Sequence, residues 1–113
     1  MSKITSHVLD ASRGKPAQGI TIVLERNTGD KWVELARAET NADGRVPDLW
    51  KEGMKLEEAV YKLTFETQKY FQNLGTKAFY PVVPIIFEIQ DAAQHYHVPL
   101  LLSPFSYSTY RGS

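Results

Sequence analysis

Cysteine is absent from this sequence, which excludes both a disulfide framework and a thiolate metal site. The fold must hold by packing alone, and reducing surroundings suit it. An excess of either charge is also missing, since thirteen basic residues meet thirteen acidic ones. So balanced a chain has no electrostatic case for wrapping nucleic acid or lying on an anionic membrane. No apolar stretch is long enough to span a bilayer, and residues 1–7 lack the apolar run of a signal peptide. Arg111-Gly112-Ser113 is not the Ser-Lys-Leu peroxisomal address. The expectation is a soluble, cytoplasmic protein, with the peroxisome left open. No repeat, low-complexity tract or linker-like break divides the chain.

What is present fits one domain over residues 1–113, with 42% hydrophobic and 23% charged residues, enough apolar material for a real core. The dominant signal is period-two alternation in short runs punctuated by Gly, Asn, Asp and Pro. Thr5, His7 and Leu9 share one face of a first strand, opposite Ser6 and Val8. Residues 10–18 read as a loop. Ile20, Ile22 and Leu24 alternate with polar or smaller neighbours, Asn27 to Asp30 form a turn, and Val33 and Leu35 continue the pattern. Asn41-Ala42-Asp43-Gly44 is a second turn, its Asp-Gly supplying the tolerance of positive φ that tight turns need. Tyr61, Leu63 and Phe65 mark another strand, after which the period changes. Thr67 is placed to cap a short helix with Tyr70, Phe71 and Leu74 on one side and Gly75 as its stop. Val83, Ile85, Phe87 and Ile89, then Val98, Leu100 and Leu102, give two more strands, and residues 105–110 a last aromatic one. Pro84 and Pro99 fall inside strand runs, and each is expected at an edge or a bulge because proline cannot donate to a ladder. Such a series of short strands with one small helix implies an antiparallel β-sandwich.

The three histidines carry the candidate chemistry. His95 and His97 are two apart and face the same way in an extended segment. Each could be an ordinary surface or core residue. With His7 they could imitate a three-histidine zinc site, although no carboxylate is placed to complete it. They could also do metal-free acid–base work, for which imidazole is suited near neutral pH. Arg45 directly follows the Asp43-Gly44 turn, where a rigidly held guanidinium could clamp an oxygen-rich or anionic ligand. Residues 105–113 are rich in hydroxyls and aromatics to the last position, which suggests a polar site near Tyr110, Arg111 and the terminal carboxylate.

Three segments read together carry a resemblance. They are His7-Val8-Leu9-Asp10 followed by Gly14-Lys15-Pro16-Ala17, then Thr40-Asn41-Ala42-Asp43-Gly44-Arg45, then YHVPLLLSPFSYSTYRGS over residues 96–113. In these the chain resembles, over essentially its whole length, the 5-hydroxyisourate hydrolases, which are built on the transthyretin fold. The resemblance implies a transthyretin-like antiparallel β-sandwich of two four-stranded sheets with one short helix. It implies a homotetramer, a dimer of dimers, with active sites in the channel where dimers meet. The implied catalytic residues are His7, Arg45 and His97. His7, Arg45, Tyr110 and Ser113 are the implied substrate-binding residues, while His95 matches a neighbouring position not counted as catalytic. No metal or cofactor is implied. The implied reaction is hydrolytic opening of the lactam between N1 and C6 of 5-hydroxyisourate, one step after urate oxidation. Transthyretin itself, a hormone carrier of the same fold, would not need both histidines, the turn arginine and the Tyr-Arg-Gly-Ser ending.

Overall fold

Most of the alternating segments become strands that bury one row of side chains and leave the other more exposed. The computed structural model describes residues 3–113; Met1 and Ser2, the head of the segment read for targeting signals, lie outside the described residues. In chain order the elements are β1 (Ile4–Asp10), β2 (Lys15–Pro16), β3 (Thr21–Asn27), β4 (Trp32–Glu39), β5 (Ala59–Glu66), α1 (Gln68–Asn73), β6 (Val83–Ile89), β7 (Tyr96–Ser103) and β8 (Ser106–Thr109). They form two four-stranded sheets, ordered β2-β1-β7-β8 and β4-β3-β5-β6. Tyr61, Leu63 and Phe65 of β5 are fully buried against Ile22 and Leu24 of β3, with Ile4, Val8, Leu100 and Leu102 supplied by the other sheet. Each such side chain contributes about 1.5–3 kcal/mol relative to exposure. No helix among the described residues is long and apolar enough to cross a membrane.

Several details differ from the sequence reading. The pairing is antiparallel except at one place, where β1 runs parallel to β7 with Thr5 opposite His97 and His7 opposite Pro99. Two residues of the expected 10–18 loop, Lys15 and Pro16, pair with Asp10 and Leu9 as β2. Phe105 belongs to the turn between β7 and β8 and stands 67% exposed, so the last strand is shorter than residues 105–110. Pro84 does lie on an edge strand, β6. Pro99 does not: β7 is interior, paired on both sides. Beside it the β7–β8 ladder lapses after Leu100–Thr109 and resumes in the same register at His97–Gly112. Thr109 Oγ1 donates to the Pro99 carbonyl at 2.7 Å, so the missing N–H is accommodated by a gap in the ladder.

The helix begins and ends where expected, by a different bond at its start. Thr67 occupies the N-cap position, but its buried hydroxyl donates to the Tyr80 carbonyl instead of serving the helix. At the other end Gly75 adopts φ +68, and Thr76 N–H reaches back to the Phe71 carbonyl at 2.9 Å, closing the turn as a Schellman motif does. Phe71 is buried, Tyr70 half-buried and Leu74 exposed, so only part of the expected apolar side faces inward. Tyr70 OH donates to Asp10 Oδ2 at 2.7 Å and ties the helix to β1. The Asp10 carboxylate also accepts from Ser12 Oγ at 2.7 Å and the Arg13 N–H at 3.1 Å. Burial pushes the Asp10 carboxyl up, and the bonds from Ser12, Tyr70 and Arg13 outweigh it, leaving it below the ordinary carboxylate range. Burial and the same carboxylate push Tyr70 up to about 12.

Candidate active site

Along β1 the side chains of Ile4, Ser6, Val8 and Asp10 are buried, so alternation turns Thr5, His7 and Leu9 to the outer face of the sheet. Along β7 the outer row begins with His97 and Pro99. Ser6, the polar residue of the inner row, is satisfied by donating to the Val98 carbonyl at 2.7 Å. Because β1 and β7 run parallel with Thr5 opposite His97, His7 lies one diagonal step from the His97 ring. The two imidazoles, far apart in sequence, thus share one face.

Arg45 reaches that face through its turn. Asn41 Oδ1 accepts from the N–H groups of Asp43 at 2.9 Å and Arg45 at 3.1 Å, while Asn41 N–H donates to the Arg45 carbonyl at 2.8 Å. Gly44 has φ +75, and a Cβ built on it would sit 2.4 Å from the Val8 carbonyl oxygen. Only glycine lets this turn press against β1, where its carbonyl accepts from Val8 N–H at 2.8 Å. The reward of that contact is position: the backbone of Arg45 pairs with that of His7 in an isolated antiparallel β-bridge.

His97 is half-buried, and its pKa is held below the ordinary imidazole value of 6.5 by burial first, then by the charges of Arg45, His95 and His7. Its neutral form is therefore favoured within reach of the Arg45 charge, a pairing suited to activating a water and stabilising an oxyanion. Two features of its surroundings were not legible beforehand. Thr5 Oγ1 lies 2.8 Å from His97 Nδ1 and 3.0 Å from His95 Nε2, filling the space between the two rings. Gly112 packs directly on the ring, and its N–H donates to the His97 carbonyl at 2.8 Å. Glycine is needed there for this close approach and not for a positive φ, which Gly112 does not adopt. Among the described residues, no three His, Cys, Asp or Glu side chains are grouped to hold a metal ion.

The remaining candidates sit at the margin. Tyr110 is 57% exposed, and Ser113 is exposed just beyond Gly112. Among the described residues neither side chain hydrogen-bonds to His7, Arg45 or His97 in the single chain. Tyr110, Thr109 and Arg111 line a cleft of about 350 Å³ at the open edge of the sandwich, with Ile85 and Phe87 opposite. Arg111 turns inward, lying 4.4 Å from the Tyr96 ring centroid and donating to Gln94 Oε1 at 2.7 Å and the His95 carbonyl at 3.3 Å. It thus secures the segment that carries His95 and His97.

A family model described as the HIUase/Transthyretin family matches residues 4–112. The chain belongs to this family. It is 46% identical to the 5-hydroxyisourate hydrolase of Mus musculus, with 99% of this chain and 96% of that protein covered. Among solved structures, the Klebsiella pneumoniae 5-hydroxyisourate hydrolase superimposes with a TM-score of 0.85 at 38% identity, covering 99% of this chain and all 100% of that one. Sea bream transthyretin in complex with thyroxine gives a TM-score of 0.90 at 32% identity, covering 97% of this chain and 94% of that one. The same backbone thus carries a protein named a hydrolase and a transthyretin solved with thyroxine, so the fold alone does not distinguish the two.

Proposed function

We propose that this chain hydrolyses 5-hydroxyisourate to 2-oxo-4-hydroxy-4-carboxy-5-ureidoimidazoline in urate catabolism, acting as one catalytic domain without a metal or cofactor. The observation that carries this reading is the convergence of His7, Arg45 and His97 on one sheet face, where burial and the neighbouring positive charges disfavour a charged His97. Neutral His97 takes a proton from a water whose oxygen bonds to C6. Arg45 stabilises the negative charge that develops on the C6 oxygen, the C6–N1 bond breaks, and His7 delivers a proton to the leaving nitrogen. Tyr110 and Ser113 complete the pocket by hydrogen bonding to the substrate. A hormone carrier has no use for a neutral base held beside a guanidinium.

On one protomer this face is a single open wall, with Arg45 and Tyr110 exposed. That openness supports a homotetramer, a dimer of dimers, in which a second copy closes the channel over the site. The proposed compartment is the cytoplasm, whose reducing conditions suit a chain without cysteine. To test the reaction, 5-hydroxyisourate is generated with urate oxidase and its ultraviolet decay followed with and without the protein. The decay is expected to accelerate, and to slow about 100-fold or more in H7N, R45Q or H97N. Spontaneous decay unchanged by the protein, or near wild-type rates in all three variants, would reject the reading. Light scattering at assay concentration should give four subunits, and an active monomer would reject the shared site.

A further inference from the structure

We propose that Thr5 and His95 form a relay that carries a proton away from His97 to the surface, with Thr5 as the positioning residue that fixes which His97 nitrogen is the base. The inference rests on the hydrolase reading above and extends it to residues outside the site already assigned. Thr5 Oγ1 is within hydrogen-bond distance of His97 Nδ1, at 2.8 Å, and of His95 Nε2, at 3.0 Å. The two rings are nearly parallel, 13° apart, with centroids 6.4 Å apart. They are joined through the hydroxyl and not directly. The parallel register of β1 and β7 puts Thr5 squarely opposite His97, so the bridge is built into the sheet. Arg111 donates to the carbonyl of His95 at 3.3 Å and holds the outer end of the arm.

A hydroxyl has one proton, so between two ring nitrogens it donates to one and accepts from the other. In the resting arrangement His97 donates its Nδ1 proton to Thr5 Oγ1, and Thr5 donates to His95 Nε2. This leaves the Nε2 lone pair of His97 free for water. When Nε2 takes a proton, the Nδ1 proton passes to Thr5 Oγ1 and the threonine proton passes to His95 Nε2. His97 is again neutral, now protonated on Nε2, Thr5 has kept one proton, and the positive charge has moved to His95. His95 is exposed to solvent and releases that proton. Once product has left, His97 returns its Nε2 proton to water, and a proton taken up by His95 passes back through Thr5 to Nδ1, restoring the resting tautomer. The reaction demands such an exit. His97 takes one proton from the attacking water, and the carboxyl group that forms ionises and frees the other. His7 needs only one back to replace the proton it gave the leaving nitrogen, so one proton is left over. Arg45 and His7, the other charged or titratable groups acting on His97, both disfavour keeping the proton there.

The test compares T5V, which removes the hydroxyl at nearly constant shape, with T5S and H95Q. In dilute, weakly basic buffer, T5V and H95Q are expected to lose about 100-fold in kcat, in the range of a general-base contribution, with KM unchanged. T5S should stay within roughly threefold of wild type. Because external imidazole can accept the stranded proton, rising imidazole concentration should restore T5V and H95Q and leave wild type unmoved. Wild-type kcat in T5V, or a loss that imidazole does not reverse, would overturn the relay. Ring nitrogen chemical shifts read the bridge without turnover: His97 should carry its proton on Nδ1 in wild type and lose that preference in T5V. A tautomer unmoved by T5V would overturn the bridge itself. An inactive wild type whose nitrogen shifts still respond to T5V would instead reject the hydrolase reading.

Discussion

Replacing Gly112 with alanine separates position from stability at the site. A Cβ on Gly112 would lie 2.6 Å from His97 Cδ2, 3.3 Å from Cγ, and 3.4 Å from Pro99 Cγ. Ordinary carbon contacts need about 3.5–4.0 Å, so ring and tail must part by roughly 1 Å. The ring cannot yield without stretching its 2.8 Å bond to Thr5, and the tail cannot lift without stretching the Gly112 N–H bond to the His97 carbonyl, also 2.8 Å. A displacement of about 1 Å in a reacting group costs on the order of 100-fold in rate. The same strain costs little stability, because one weakened hydrogen bond of about 0.5–1.5 kcal/mol is offset by the ~0.4–1 kcal/mol that losing a glycine removes from unfolded-chain entropy. G112A should therefore lose about 100-fold in kcat/KM in the coupled urate oxidase assay, with Tm nearly unchanged. G44A is the control with opposite behaviour: its Cβ meets the Val8 carbonyl at 2.4 Å, and φ is +75. That variant should lose stability outright. G112A turning over within about threefold of wild type would refute the claim that this glycine sets the His97 ring.

Three further outcomes follow from the same geometry. The acid limb of kcat/KM should have its midpoint below 6.5, because burial, Arg45, His95 and His7 all keep His97 neutral; R45Q should raise the His97 titration in ring NMR, and a wild-type limb at or above 6.5 would contradict the assignment. Y70F and D10N should each lose about 1–3 kcal/mol in urea unfolding. Since the Asp10 carboxyl is held below 3.8, its contribution is full above that value and lost as pH falls through the folded pKa, whereas that of Tyr70 is full below 10 and lost as pH rises towards about 12; an acid profile unchanged in D10N would exclude this role. Deleting the last four residues, or adding a C-terminal hexahistidine tag, should remove most activity, roughly 100-fold, while an N-terminal tag should not, and equal turnover of both tagged forms would show that the tail is dispensable.

Most of the sandwich could be read from alternation, because a strand with one buried face must repeat every second residue. That is why Ile22, Leu24, Tyr61, Leu63 and Phe65 were all recognisable as core. The Asn41–Gly44 turn was equally legible, since few residues other than glycine accept φ +75. What alternation cannot carry is partnership between distant strands. The parallel β1–β7 pair, and with it the Thr5 hydroxyl between two imidazoles, depends on register across the whole chain. Pro99 was misjudged for a related reason: proline is excluded from a ladder only where its N–H would be needed, and here the ladder opens beside it. Nothing local to the Tyr-Arg-Gly-Ser ending marks Gly112 as a space left for the His97 ring. His7, Arg45 and His97 stood out as candidates because of their chemistry, but only the fold brings the first two into a bridge and the third beside them.

The parallel pairing of the first strand with the seventh also governs when the site can exist. Thr5 and His97 are 92 positions apart, so their contact closes nearly the whole chain into one loop, the kind of long-range closure that slows folding. During synthesis the sheet β4-β3-β5-β6 has all its strands once Ile89 has been added. The other sheet then consists of β1 and β2 alone, and the inner faces of β3 and β5 have half their cover. At roughly 5–20 residues per second the nascent chain passes through this half-covered stage for a second or more, with Ile22, Leu63 and Phe65 open to chaperones or to a neighbouring chain. His7 and Arg45 are made early and wait, since β7 must dock before the His97 ring can join them. Interrupted translation would thus leave a sticky half-sandwich and not a slow enzyme, which makes catalytic activity a readout of chains whose last strands have been added and docked.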